Sequence, residues 1–524
     1  MSSGYDKRWR VGLLLALGLF FLTRILTLTA FPIFNDEGIY LQYSQRIHDD
    51  WNKNKFISMN GEFTDWKPPL QYWMTAPFVE CGNDPLVVGR VIACLVSIAG
   101  FFGVYLFSKE LFTEREGVFA AFLYVLCPPV LLHNDQFTAE TFLFSTAPLL
   151  YWALLRAMGR NKPAWIWLIV AVLFGTALLL FKQSGFLLLA VSILLPLARL
   201  QQKEGTLTRP AILIRNVCLV IAVILCSHFA ATALLPSEFQ ATRERFDRNW
   251  VMSVSELIAL PTAVWRTNLG IVADYIGSYY SWVLALFFCG FVWLAFRRRN
   301  SAELILTLIS AASGAGIIFL LRGFNEYLFN TAIIAVLLPL LGRMAVLITD
   351  FVRAKKGGVA AYAILLGAGF IMVDWGYQDI LMSVSPGKYI ERSSHWANAN
   401  YLQGWATGFG VKEIVQMLEK EKRPGVVFAD AQWGNPLTAL EVYGRKRFPN
   451  LRVVSISREF LDKNGTRKLK EFVAGLGPVH LAIYSAYPTP ERKLWQTNIE
   501  EQMCKTRTEI KAYHSQAPLV VCQF

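Results

Sequence analysis

Val11-Gly12-Leu13-Leu14-Leu15-Ala16-Leu17-Gly18-Leu19-Phe20-Phe21-Leu22 opens an apolar run that reaches Phe31, followed at once by Pro32-Ile33-Phe34-Asn35-Asp36-Glu37-Gly38-Ile39-Tyr40. A helix of about 20 such residues covers the roughly 30 Å of a bilayer's hydrocarbon core. The acid pair Asp36-Glu37 therefore stands where the chain leaves a membrane. Moving one charge into hydrocarbon costs about 2.5 to 3.5 kcal/mol. Two adjacent carboxylates at the mouth of a bundle are a poor structural device, and chemistry explains them better.

The run is the first of many. The 524 residues are 54% hydrophobic and only 17% charged, and near-spanning apolar stretches recur to about Trp375. This reads as a polytopic α-helical membrane protein of about eleven crossings, near 11–31, 86–108, 118–132, 141–158, 164–181, 186–199, 213–235, 279–296, 302–320, 327–345 and 358–376. The first run lacks a small-residue cleavage pattern after it, so it reads as a retained span.

Short cytoplasmic loops keep Lys and Arg. Lys7, Arg8 and Arg10 precede the first span, and alternation puts Arg156, Arg160 and Lys162, the stretch Arg199 to Arg215, Arg297 to Arg299, and Arg353, Lys355 and Lys356 on that same side. The N-terminus is expected in the cytoplasm, and an odd number of crossings leaves the C-terminus outside. The net charge of +13 is thereby mostly topology, which removes nucleic acid as an expected partner.

From about Val411 the pattern changes to helix Val411 to Glu421, strand Val426 to Ala429, helix Leu437 to Tyr443, strand Val453 to Ile456, helix Arg467 to Ala474 and strand Leu481 to Tyr484. That is the rhythm of a small parallel sheet. Closing strands near Glu509 to Tyr513 and Leu519 to Phe524 would add an antiparallel edge. The expected domains are 1–376 in the membrane, with an outer loop 32–85, a linker 377–410, and an extracytoplasmic α/β domain 411–524. Cys504 and Cys522 fall on or near the closing strands, in a compartment that tolerates disulfides.

Three cations break the topology rule. Lys67 lies in the first long loop, Lys182 in Phe181-Lys182-Gln183-Ser184-Gly185, and Arg322 in Arg322-Gly323-Phe324-Asn325-Glu326-Tyr327. Singly, each could snorkel to headgroups; together, in tight turns, they point to a shared anionic partner such as a phosphate. Asp135 sits in the second outer loop, His133-Asn134-Asp135-Gln136-Phe137-Thr138-Ala139-Glu140. Helix capping would explain one acid per helix start but not the neighbouring cations.

Asn35-Asp36-Glu37, Trp66-Lys67-Pro68-Pro69-Leu70, Gly89-Arg90 and the Asp135 loop, in that order, resemble the integral-membrane GT-C glycosyltransferases, chiefly lipid A aminoarabinose transferases, lipopolysaccharide-core galacturonosyltransferases and protein O-mannosyltransferases. The likeness is good over about the first 160 residues. It differs in one respect: the family often has Arg and Tyr adjacent in its later motif, whereas Arg322 and Tyr327 are separated here.

The resemblance implies a polyprenyl-phosphate-linked sugar as donor and a lipid, glycolipid or protein acceptor, used at the outer face of an inner (plasma) membrane. Asp36 would be the general base of one inverting displacement, with Glu37 and Asp135 orienting the acceptor, the sugar or Lys67. Lys67, with Lys182, Arg322 and Tyr327, would hold the donor phosphate. No cofactor is required by the sequence, although Asp36, Glu37, Asp135 and His133 could gather a divalent metal. Two rivals remain. A transporter or flippase would show repeated halves meeting at mid-membrane, and a membrane-anchored binding or sensory module would not need polar residues between spans.

Overall fold

A computed structural model describes the chain apart from residues 1–2, 60–66, 160–163, 199–208, 238–249, 324–325, 356–357, 399, 401, 403–406, 430–434, 456–470, 472–477, 486–496, 498 and 512–517. Trp66, Arg160, Lys162 and nearly all of the expected helix Arg467 to Ala474 lie outside the described residues.

The chain divides into two compact units. One comprises Met1–Thr27, Lys55–Gln71 and Ile92–Ser383; the other comprises Leu28–Asn54, Tyr72–Val91 and Val384–Phe524.

The first unit is helical. Among the described residues, six helices are long and apolar enough to cross a membrane, or eight if each of two bent pairs counts as one span. That is fewer than the eleven crossings expected, although helix occupies all eleven stretches. Trp165–Phe181 and Gly185–Ala198 are shorter apolar helices. The expected span 118–132 is broken: Glu114–Leu126 and Pro128–Asn134 meet at 66°. Pro128 and Pro129 bring no amide hydrogens and clash with the preceding turn, so the first helix ends at Cys127 and a new one starts on the prolines. The second break, 101° between Thr262–Tyr280 and Trp282–Arg298, falls at Ser281, whose φ of 69° no helix accommodates. Its side-chain oxygen caps the next helix by accepting the Val283 N–H at 3.2 Å.

In the second unit, β1 (Gly425–Ala429), β2 (Leu451–Ser455), β3 (Val479–Ser485), β4 (Thr506–Ile510) and β5 (Leu519–Gln523) form one sheet in the order β2-β1-β3-β5-β4. β1 runs parallel to β2 and β3, while β5 is antiparallel to β3 and β4. The central strand β1 is buried throughout, as an all-apolar strand in a parallel sheet must be. β4 exposes Thr506, Arg507, Thr508 and Glu509, polar residues that discourage further pairing along this edge. Val426, Phe428, Ala482, Tyr484, Val520 and Cys522 share the core.

The closing strands pair antiparallel, the first at Thr506–Ile510 rather than near Glu509 to Tyr513, whose last two residues lie outside the described ones, and bring Cys504 and Cys522 into a disulfide with a Cα separation of 5.4 Å. Closing a loop of 18 residues restricts the unfolded chain and stabilises the native one by about 3 kcal/mol. Cys504→Ser is therefore expected to lower the unfolding midpoint of this unit and to abolish its sensitivity to reductant. Identical midpoints with and without reductant in the unsubstituted protein would contradict that role.

Candidate active site

In the second unit, helix Asn35–Asp49 carries both acids of the first loop in its first turn, where the N-terminal end of a helix favours negative charge. The two acids have different surroundings. Glu37 is fully buried. Its Oε1 accepts from Arg90 Nε at 2.9 Å and its Oε2 from Arg90 Nη2 at 2.7 Å, and Oε2 also accepts the Phe34 backbone N–H at 3.0 Å. Arg90 Nη1 donates to the carbonyls of Leu28 at 3.0 Å and Phe31 at 2.8 Å, and Nη2 to that of Pro32 at 3.0 Å. All five guanidinium hydrogens are thus engaged. Only arginine offers that fork, and it gathers the carbonyls of the loop around Glu37. Glu37 is an anchor of this turn.

Asp36, one residue earlier, is rotated about 100° around the helix axis. It is half-buried and accepts a hydrogen bond from Tyr40 Oη at 3.2 Å through Oδ2. Arg90→Lys, with three donors in place of five, is expected to loosen the loop; Arg90→Met leaves a buried carboxylate uncompensated, at a cost of about 3 to 5 kcal/mol. Thermal unfolding of the purified protein checks both. An unchanged midpoint in Arg90→Met would disprove the anchoring role.

The α/β domain holds this helix. Gln42 is bonded to Glu441, Gln45 Nε2 donates to the Val442 carbonyl at 3.2 Å, Thr438 Oγ1 to Asn35 Oδ1 at 3.2 Å, and Asn435 Nδ2 to the Ile33 carbonyl at 2.9 Å. A side chain at Gly408 would collide with that same Ile33 carbonyl, so the backbones approach closely enough there to require glycine. Ion pairs Arg445–Asp49 at 2.6 Å and Lys446–Glu80 at 2.9 Å complete the contact.

In the first unit, the Lys67 carbonyl accepts from Ser58 Oγ at 2.7 Å, Pro68 and Pro69 are buried, and Gln71 Nε2 donates to the Phe137 carbonyl at 3.1 Å. The lysine segment is thereby tied to the Asp135 loop. Asp135 is buried just after helix Pro128–Asn134 and interacts electrostatically with Arg24, as does Asp379 of the last apolar helix. Lys182 forms a salt bridge with Glu140, and the charge of Lys67 also acts on Glu140. Two of the three cations expected at a phosphate thus share one carboxylate. Arg322 is exposed and pairs with Glu256, with Nη2 at 2.8 Å from Oε2. Tyr327 begins helix Glu326–Lys355 at its second position, and its side chain lies outside the described residues.

His133 Nε2 lies 3.0 Å from Asn330 Nδ2, and Asn330 Oδ1 accepts from Tyr275 Oη. Among the described residues no group of three or more His, Cys, Asp or Glu could hold a metal ion. Sequence reasoning missed Arg24, Asp379, Tyr275 and Asn330 as parts of this polar interior. For Arg24 and Asp379 a signal existed, since ionisable residues within apolar helices mark functional or paired positions.

Residues 66–230, which hold Lys67, Asp135, Glu140 and Lys182, match the family model described as dolichyl-phosphate-mannose-protein mannosyltransferase. No curated protein sequence matches the chain. Among solved structures, the chain is similar to ArnT from Cupriavidus metallidurans bound to undecaprenyl phosphate, at 14% identity over 99% of this chain and 98% of that one with a TM-score of 0.57. The apo state of the same protein gives 14% identity, the same coverage and a TM-score of 0.58. The Archaeoglobus fulgidus oligosaccharyltransferase AglB, in complex with an inhibitory peptide and a dolichol-phosphate, is similar at 12% identity over 92% of this chain and 70% of that one, with a TM-score of 0.50. At such identities the likeness is one of fold, and the fold is the GT-C architecture that the motifs resemble.

Proposed function

We propose that this chain, which has the GT-C fold, is a glycosyltransferase that moves a sugar from a polyprenyl-phosphate donor to an acceptor by inverting displacement. The observation that carries the reading is the sorting of the acid pair. Arg90 secures Glu37 with two of its hydrogens and the surrounding loop carbonyls with the other three, and Asp36 stays half-buried beside it, bonded to Tyr40. That is what a general base requires.

Asp36 takes the proton of the acceptor hydroxyl or amine as its oxygen or nitrogen bonds to the anomeric carbon. The bond from that carbon to the phosphate oxygen breaks, and its electron pair leaves on the polyprenyl phosphate. Lys67 is the first cation for that developing charge, with Lys182, Arg322 and Tyr327 as secondary partners. Asp135 orients acceptor or sugar, while Glu37 acts through the loop it anchors.

Support for a lipid phosphate comes from the similar structures, one bound to undecaprenyl phosphate and one to a dolichol-phosphate. The likeness to ArnT runs over nearly the whole of both chains, whereas AglB extends well beyond the match; a lipid or glycolipid acceptor is favoured over protein by the C-terminal outer domain following the last span, which resembles the lipid-modifying families. The basic loops favour a cytoplasmic N-terminus, with the chemistry and the α/β domain at the outer face of the inner membrane.

The test is transfer of a radiolabelled sugar from polyprenyl-phosphate donor to extracted membrane lipid by the purified protein in nanodiscs. Donor binding and movement across the bilayer without transfer to any acceptor would replace this reading with the flippase.

A further inference from the structure

Helix Asn35–Asp49 and helix Leu437–Arg447 do not close completely on each other. Between them and the edge strand β2 is a cleft of about 450 Å³, its walls carrying Gln42, Gln45, Arg46, Asp49, Glu441 and Arg445 and its floor Leu451 and Val453. It is large enough for a small ligand, since such sites run from about 300 Å³ upward.

The chemistry of the walls selects among ligands. Two guanidinium groups and two carboxylates cancel, so a phosphate or other anion gains nothing here that the carboxylates do not oppose. An apolar occupant would strip water from polar groups at about 1 to 3 kcal/mol for each left unsatisfied. Gln42 is bonded to Glu441, Gln45 to the Val442 carbonyl and Arg445 to Asp49; the hydrogens and lone pairs that these planar groups keep beyond those bonds suit the vicinal hydroxyls of a sugar ring, and the aliphatic side chains of Leu451 and Val453 suit its C–H face. Burial raises the Glu441 carboxyl above its usual range, against the opposing effects of Arg46 and Gln42, which marks this as more than a solvated surface groove.

The cleft shares a helix with Asp36. Gln42 follows Asp36 by six residues, about 9 Å along the axis, and Asp49 lies about 20 Å along it. We infer that the cleft is a carbohydrate subsite holding a sugar residue of an extended acceptor, remote from the residue that is glycosylated. The acceptor role rests on the proposed function; sugar binding itself does not.

The experiment uses the full chain in nanodiscs and saturation-transfer NMR with maltohexaose as a neutral probe and trigalacturonic acid as a charged one. Wild type is expected to bind the neutral probe. Glu441→Ala and the exposed rim variant Arg445→Ala are each expected to weaken binding about tenfold, the loss of one charged hydrogen bond, with the unfolding midpoint of each variant measured alongside. In transfer assays both should raise KM for a long glycan-bearing acceptor while leaving KM for a short acceptor that lacks the extension, and for the donor, unchanged. No binding of the neutral probe, preference for the charged one, or wild-type binding in Arg445→Ala would overturn the subsite. Binding that is sensitive to these substitutions, in a protein that transfers no sugar, would uphold the carbohydrate site and remove its acceptor role.

Discussion

Asp36→Asn is expected to abolish sugar transfer while leaving the fold and donor binding intact. The amide is nearly isosteric and its oxygen can still accept the Tyr40 hydroxyl, which lies 3.2 Å from the carboxylate. The anchor beside it, Glu37 on Arg90 at 2.7 Å, is untouched, so the unfolding midpoint should not move. What disappears is the capacity to take a proton, and general-base catalysis is worth about 10² to 10⁴ in rate. Glu37→Gln should do the opposite: it weakens a buried ion pair and lowers stability, and any loss of turnover should follow from the loosened loop. Single-turnover rates together with unfolding midpoints separate the two. Near-wild-type transfer in Asp36→Asn would remove Asp36 from the mechanism.

That separation of two neighbouring acids could not be read from the chain itself. Asp36 and Glu37 are equivalent as letters; Arg90, 53 residues further on, decides which is buried. Local periodicity carried the parts that depend on nearby residues. The apolar runs, the strands of the small sheet and the pairing of its two closing strands through Cys504 and Cys522 were legible because burial imposes a repeat on neighbours. The break at Cys127 was legible in principle from Pro128-Pro129, whereas the one at Ser281 depends on a backbone angle that serine does not announce. Long-range partners account for most of the rest. Lys182 meets Glu140 and Arg322 meets Glu256, 66 residues away, so cations read as awaiting a phosphate already have carboxylates beside them. The packing of Gln42 and Gln45 on helix Leu437–Arg447 joins segments nearly 400 residues apart, which no window on the sequence spans.

The surroundings of the three cations set the order of effects expected at them. Lys67→Ala should give the largest loss, about 10² to 10³ in kcat, the range seen when one preorganised group stabilising a developing negative charge is removed. The segment is built to hold this lysine still: its carbonyl is bonded to Ser58 Oγ, two buried prolines follow, and Gln71 ties the chain to Phe137. Proline fixes φ near −65°, so little conformational freedom remains to be lost when the phosphate arrives. Lys67→Arg should recover part of the rate, because the charge is retained on a wider, planar group. Lys182→Ala should cost less than Lys67→Ala, since Phe181-Lys182-Gln183-Ser184-Gly185 has no proline to fix it as Pro68 and Pro69 fix the Lys67 segment, and Arg322→Ala should cost least, its pair with Glu256 being solvent-exposed and such pairs contributing about 0 to 1 kcal/mol. Donor affinity and single-turnover rates across the three alanine variants give the order directly. If Lys67→Ala changes neither quantity, or if Arg322→Ala is the most damaging of the three, the phosphate is held elsewhere than at Lys67.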